Sequence, residues 1–315
     1  MKVIQTIKGR VPVEDLGLIL PHEHLFTDLR GPRAKGYAKA DPATVGKVMK
    51  PFLEEAYRAG VTALVECSTV GVGRHIEVMQ YLADLTPIHL ILPTGVYREA
   101  YIPPTHRMLN EKELADLWIR ELCQGVEGTK ILAGFIKIAM SDEGPTEIEI
   151  RCLRAAAMAS QATAAVIASH TANWGVACKE MDILEEEGLD LSRFIWVHAN
   201  LDSEMDHHQD AARRGAYVEF DAIGAEWQDQ QALLSYTLKM IEAGYEHQVL
   251  LSHDAGWFDP ATPDGIPPEG QIRGYTELVK GFIPQLRGQG LSDETIHRLT
   301  VTNPAGAFVF VGSKA

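Results

Sequence analysis

Short apolar runs alternate with amphipathic helical patterns along almost the whole chain, and this alternation constrains the fold more than any other feature. The runs occupy residues 18–23, 61–65, 88–92, 132–138, 165–169, 194–198, 216–220 and 248–252. Strands that alternate with helices pair in parallel, and eight such units in about 300 residues are typical of a (β/α)8 barrel. We therefore expect a TIM barrel spanning residues 1–315 as one α/β domain, with a short N-terminal β-hairpin in residues 2–18 and C-terminal helices.

Side chains that bind metals stand at the carboxyl ends of several runs. The first run ends in His22 and His24, whose two-residue spacing puts both imidazoles on one face of a strand. The ends of runs four, five, six and eight carry Lys137, His170, His198 and Asp254. A barrel gathers its strand ends at one face, whereas a doubly wound open sheet, the alternative fold, would keep runs one and eight apart. We therefore expect a site for divalent metal ions at that face.

Lys137 is the most informative of these residues because it lies in an otherwise apolar segment, residues 133–140. Lysine is rarely buried without a partner, and an ammonium group beside metal ions is unfavourable. Three outcomes are open: a Schiff base with a carbonyl substrate, a structural ion pair, or a carbamate formed with CO2 that bridges two metal ions. Charge balance in a site with two dications favours the carbamate.

Charge and hydropathy exclude some classes of partner. The 315 residues carry a formal net charge of −14, which argues against nucleic acid or an anionic membrane as the main partner. No apolar run reaches the roughly 18 residues of a membrane span, and residues 1–10 lack the apolar core of a signal peptide. The four cysteines form no CxxC motif, which fits reduced thiols. These features predict a cytoplasmic protein.

The local sequences around the strand ends resemble the phosphotriesterase family of the amidohydrolase superfamily, in particular its phosphotriesterase-like lactonase branch. The similar segments are residues 17–25, 134–137, 168–171 and 302–304. The resemblance extends over essentially the whole chain. It implies a binuclear centre that binds zinc, or else cobalt, manganese, iron or nickel. The family also suggests a homodimer.

The resemblance implies a role for each strand-end residue. His22 and His24 would hold one ion with Asp254, and His170 and His198 would hold the other. Lys137, carboxylated on its side-chain nitrogen, would bridge the two ions together with a hydroxide.

In the mechanism that follows, the bridging hydroxide attacks a carbonyl or phosphoryl group and Asp254 accepts its proton. Asp221, at the end of run seven, resembles a second family carboxylate that helps to carry the proton away. Strand alternation directs His253, the neighbour of Asp254, away from the barrel axis.

Four residues are expected to contact the substrate. Tyr97 stands where the lactonase branch carries an active-site tyrosine. Trp257 and Phe258 open the loop after run eight, and exposed aromatics beside a site suggest an apolar acyl chain or leaving group. Ile223 stands where the lactonases usually carry an arginine, a departure that affects lactone recognition.

We therefore expect a metal-dependent hydrolase of lactones or related small, neutral, apolar esters, with promiscuous phosphotriesterase activity. A true phosphotriesterase (aryldialkylphosphatase) is the alternative within this class. Two other classes stay open: a non-catalytic ligand-binding barrel, and a lyase that forms a Schiff base through Lys137.

Overall fold

Parallel strands form the centre of the molecule and helices surround them, as the alternation predicts. The structure, a computed structural model, describes residues 2–268 and 270–310. Its strands are β1 (Val3–Thr6), β2 (Gly9–Pro12), β3 (Leu18–Phe26), β4 (Val61–Glu66), β5 (His89–Ile91), β6 (Pro93–Thr94), β7 (Phe135–Ala139), β8 (Ile167–His170), β9 (Phe194–Val197), β10 (Tyr217–Phe220), β11 (Val249–Leu251), β12 (Gly256–Phe258) and β13 (Val309–Phe310).

Most of the helices alternate with the strands, and the last three follow one another. They are α1 (Pro42–Arg58), α2 (Ile76–Leu85), α3 (Pro104–Arg107), α4 (Glu111–Cys123), α5 (Glu147–Thr163), α6 (Trp174–Glu186), α7 (Met205–Arg213), α8 (Gln230–Glu242), α9 (Ile283–Gly288), α10 (Asp293–His297) and α11 (Asn303–Ala307). The residues before several of them explain where they begin. Asn110 and Thr146 each form a capping box with a glutamate three residues later. None of the described helices is both long and apolar enough to cross a bilayer.

The barrel consists of two parallel sheets that share its third strand. One sheet has the order β11–β10–β9–β8–β7–β6, and the other has the order β12–β3–β4–β5. The segments β5 and β6 follow each other directly and join the two sheets on one side. On the other side, the amide of Asp254 donates to the carbonyl oxygen of His22 at 3.2 Å. The ends of the first and eighth barrel strands are therefore neighbours, as the predicted metal site requires.

The core has two layers. Inward-facing side chains such as Ile19, Val65 and Ile195 fill the barrel, and Phe308 closes the amino-terminal end of the barrel, with its ring 5.3 Å from that of Phe135. A larger apolar cluster lies between the strands and the helices. A filled barrel leaves the carboxyl ends of its strands as the face on which a site can form.

Two short strands were not expected from the sequence. Residues 256–258, predicted to open a loop, form β12 and pair in parallel with β3, with Gly256 opposite His24. Residues 309–310 form β13 and pair with β1 of the predicted hairpin. Both strands are too short for periodicity to reveal, and each is stabilised by a partner that is distant in the sequence.

Position 95, directly after β6, requires glycine for two reasons: its backbone angle and the lack of room for a side chain. Its φ is +104°, and a Cβ atom there would overlap the carbonyl oxygen of Lys137. Gly144 has a φ of +124°, but no atom lies within 4 Å of a Cβ atom placed there.

We expect Gly95→Ala to lower the free energy of unfolding by about 3–5 kcal/mol, and Gly144→Ala by about 1–2 kcal/mol, because only the first adds a clash to backbone strain. Calorimetric melting of both variants tests this, and equal melting temperatures would contradict it.

Candidate metal centre

The predicted strand-end residues come together in one cavity at the carboxyl face of the barrel. Its volume is about 140 Å³, and its walls include His22, His24, Lys137, His170, His198 and Asp254, together with Cys67, Tyr97 and Trp257. These side chains come from both sheets of the barrel. The structure thus places all six predicted metal ligands around a common space.

The first group of ligand atoms surrounds Asp254. Its Oδ1 atom lies 3.0 Å from Nε2 of His24 and 3.4 Å from Nε2 of His22. Burial alone would raise the pKa of Asp254, but His22 and His24 hold it well below its ordinary value. The carboxylate is therefore ionised, as a metal ligand must be.

The second group consists of His170 and His198, whose Nδ1 and Nε2 atoms are 2.7 Å apart. The hydroxyl of Tyr97 lies 3.2 Å from Nδ1 of His170, and Nη2 of Arg98 lies 3.3 Å from its Nε2. Burial, followed by electrostatic interactions with His198 and Lys137, holds the pKa of His170 well below its ordinary value. The ring is therefore neutral and retains a lone pair for a metal ion.

Polar groups behind the histidines orient their rings. His22 donates from Nδ1 to Glu219 at 2.8 Å, and His198 donates from Nδ1 to Asp221 at 2.9 Å. Nδ1 of His24 contacts the hydroxyl of Ser68 at 2.8 Å. Each of these contacts occupies Nδ1 and leaves Nε2 for the cavity, which is how proteins commonly fix a metal-binding tautomer.

Asp221 lies behind the site rather than in it. The side chain is fully buried and does not line the cavity. Its two oxygens accept from the amide and from Nδ1 of His198, each at 2.9 Å. These contacts indicate a residue that positions His198, and the proton-carrying role expected from the sequence stays a prediction.

Lys137 is 2% exposed, and within the described ranges its Nζ atom has neither a hydrogen-bond partner nor an ion-pair partner. The ion-pair outcome considered above is therefore not found in that part of the chain. An unpaired buried amine is unfavourable, and the amine lies among histidine and carboxylate ligands. The donor set thus fits divalent ions together with a modified, anionic lysine.

The backbone at two predicted ligands is left-handed. The φ angle is +64° at His198 and +48° at Asp254. This conformation costs a residue other than glycine roughly 1–2 kcal/mol, although Asn and Asp tolerate it better than most. It turns the chain sharply just after β9 and just after β11, where the two predicted ligands lie.

The predicted substrate-contacting residues divide into two pairs. Tyr97 and Trp257 line the cavity, and the Trp257 ring lies 6.1 Å from that of His24. Phe258 is buried and stacks on Phe26, and Ile223 is 1% exposed within the apolar cluster. The structure therefore does not bring Phe258 and Ile223 to the cavity. Alternation along β12 turns Phe258 into the apolar cluster between the strands and the helices.

His253 points away from the barrel axis, as strand alternation predicts. Its Nδ1 lies 2.5 Å from Glu23, which is on the outward face of β3, and its Nε2 accepts from the amide of Leu278 at 2.9 Å. The pair ties the eighth strand to the first strand and to the C-terminal helical region.

Sequence reasoning missed three groups that act on this site. Glu219 precedes Asp221 by two residues, so strand alternation could have placed both on one face. Ser68, just beyond β4, gave no distinct signal. Arg98 gave none either, because its contact with His170 depends on how the loop after the third barrel strand folds.

A TIM barrel whose strand ends bring histidines, a buried lysine and an aspartate to one cavity has the architecture of a metal-dependent hydrolase. Residues 2–308 match the model of the phosphotriesterase family, and the chain belongs to that family. The sequence-based family assignment, the barrel fold and the enzyme class are thereby confirmed.

Three comparisons illustrate the range of similar proteins. The chain is 28% identical to an aryldialkylphosphatase of Saccharolobus solfataricus, over 98% of this chain and 100% of the relative. It is 26% identical to an N-acetyltaurine hydrolase of Danio rerio, with 96% of each chain covered. A solved structure of a mutant Deinococcus radiodurans PTE-like lactonase superposes with a TM-score of 0.84 at 25% identity, covering 97% of this chain and 99% of that one.

Proposed function

We propose that the chain hydrolyses lactones or related carboxylic esters at a centre of two divalent metal ions. The observation that carries this proposal is Lys137, a buried amine with no partner among the described residues, in a cavity lined by metal-binding side chains. Carboxylation with CO2 would convert it into an anion with two oxygens. That anion removes the unfavourable positive charge and supplies a bridging ligand.

The remaining ligands follow from the contacts around the cavity. His22, His24 and Asp254 would hold one ion, because both Nε2 atoms lie beside the same carboxylate oxygen. His170 and His198 would hold the other, and carboxylated Lys137 would bridge the two. Zinc is the first choice for this mixed set, with cobalt, manganese, iron or nickel as alternatives. When bound, the ions would supply an activated hydroxide and polarise the carbonyl oxygen of the ester.

The chain's own residues orient the reaction. Glu219 and Asp221 hold the rings of His22 and His198, so neither imidazole can turn away. The side chain of Asp254 is 27% exposed, which gives the carboxylate a route to pass a proton from the cavity to water. The hydroxyl of Tyr97 lies in the cavity beside His170 and can donate to an oxygen of the substrate.

A phosphotriester is the second candidate substrate, supported by the similarity to the aryldialkylphosphatase. Metal content of dialysed protein, measured together with hydrolysis of a γ-lactone, a δ-lactone and paraoxon, distinguishes the candidates. We expect about two metal ions per chain and much faster turnover of a lactone. Faster turnover of paraoxon would support a phosphotriesterase, and less than one firmly bound ion per chain would overturn the proposed centre.

Asp221→Asn is expected to weaken metal binding about 10- to 100-fold, because the amide no longer holds His198 in its metal-binding tautomer. Asp202→Asn is the matched control, since Asp202 contacts the ring of His207 at 3.1 Å outside the cavity. Titration of both variants with a chelator gives the two affinities. Equal metal affinity in both variants would show that Asp221 does not position a ligand.

A further inference from the structure

A second cavity adjoins the metal cavity beside the loops that follow β10 and β11. It has a volume of about 320 Å³ and is lined by Glu226, Trp227, Gln271 and Arg273, together with Asp254 and Trp257. Asp254 and Trp257 also line the first cavity, so the two cavities meet at these residues.

The sizes of the cavities suggest that a substrate occupies both. The metal cavity, at about 140 Å³, is smaller than the roughly 300–1,000 Å³ of sites that enclose a whole drug-sized ligand. It suits the reacting ester group and little more. A substituent on that ester would extend past Trp257 into the second cavity.

Arg273 provides a positioned positive charge in the second cavity. Its Nη2 atom donates to the backbone oxygens of His253 and Asp254, at 2.8 and 2.5 Å. In residues 2–268 and 270–310, its guanidinium forms no ion pair with a carboxylate, and its Nε and Nη1 atoms have no acceptor. A half-buried guanidinium that is already held by two carbonyls, with donors to spare, is well suited to bind a carboxylate.

The other walls are compatible with this ligand. Trp257 and Trp227, the latter 63% exposed, offer indole faces on which a short carbon chain can pack. Gln271 is exposed and offers a further donor. The carboxylate of Glu226 is also exposed and can turn toward water, so the charge held in a defined place is that of Arg273.

We infer that the natural substrate is an ester or lactone whose substituent carries a carboxylate, and that Arg273 binds this carboxylate. The inference rests on the proposed function and changes one part of it. The attacked group is a neutral ester, but the substituent is anionic instead of wholly apolar. Arg273 is thereby a specificity-determining residue.

The test compares two γ-lactones with the same side chain, one ending in a carboxylate and the other in a carboxamide. We expect kcat/KM of the metal-loaded wild type to favour the carboxylate about tenfold or more. Arg273→Gln should reduce this ratio to about one, and Arg273→Lys should retain part of it. Arg273 also donates to the backbone oxygen of Asp254, so its replacement can slow the hydrolysis of both lactones. The ratio of the two kcat/KM values is therefore the quantity that tests the inference. Arg287→Gln, at a residue 57% exposed, is the control and should keep the wild-type ratio.

A second experiment separates this inference from the proposed function. It uses two cyclopentanones that carry the same two side chains, bind without being hydrolysed, and so report binding alone. Calorimetry should show tighter binding of the carboxylate ketone to the wild type, lost in Arg273→Gln. If neither lactone is cleaved, the proposed function fails while the ketone binding still decides the inference. Equal binding of the two ketones, a wild-type kcat/KM ratio of one or less, or an unchanged ratio in Arg273→Gln would overturn it.

Discussion

Replacing Lys137 by methionine is expected to abolish hydrolysis while leaving the fold intact. Methionine fills a similar volume, and the Nζ atom that it removes has no partner among the described residues, so no native contact in that part of the chain is lost. It cannot form a carbamate, however, so the proposed centre would lose its bridging anion. We expect kcat/KM to fall by at least about 100-fold, because changes behind the ligands alone cost about 10–100-fold, and metal content to fall with it.

Two controls make this experiment specific. Lys112→Met alters an exposed lysine, with 74% of its side chain accessible, and should leave both activity and metal content unchanged. Addition of a short carboxylate such as propionate to a smaller variant, Lys137→Ala, should restore part of the activity by replacing the missing anion. A folded Lys137→Met protein with normal turnover would exclude the bridge, and borohydride trapping of substrate on Lys137 would indicate a Schiff base instead.

Asp254→Asn is expected to lower kcat by about 100- to 1,000-fold with little change in stability. Asparagine has the same shape and is among the residues that tolerate the left-handed backbone found at position 254, where φ is +48°. The amide carries no negative charge and cannot accept a proton, and loss of a general base costs about 10²–10⁴ in rate.

Asp264→Asn, in the same long loop and exposed, is the matched control and should react like the wild type. Single-turnover kinetics, together with the metal content of each variant, separate loss of the base from loss of an ion. A decrease of less than tenfold in a metal-loaded Asp254→Asn protein would show that another group accepts the proton.

The positions of the cavity residues could be predicted because they depend only on where each apolar run ends. Each predicted ligand, such as His170 or Asp254, ends an apolar run, and a barrel brings the ends of its parallel strands to one face. No loop conformation had to be known. The alternation along the eighth strand likewise predicted that His253 points outward.

The surroundings of those residues could not be predicted in the same way. Glu219 supports His22 across a separation of 197 residues, and Ser68 supports His24 across 44. Such pairs depend on the register between strands, which no local pattern reveals. Phe258 does not line the cavity for a related reason. Residues 256–258 pair with β3, and their alternation, not their nearness to Asp254, places the Phe258 ring in the apolar cluster outside the barrel.

The left-handed backbone at His198 and Asp254 has a consequence for attempts to engineer this enzyme. At either position glycine would relieve conformational strain, so a library screened for thermal stability alone would enrich variants that have lost a proposed metal ligand. Stability and catalysis compete at these two turns in particular. Directed evolution of a more heat-resistant form should therefore keep residues 198 and 254 invariant and seek its gains in the outer helices.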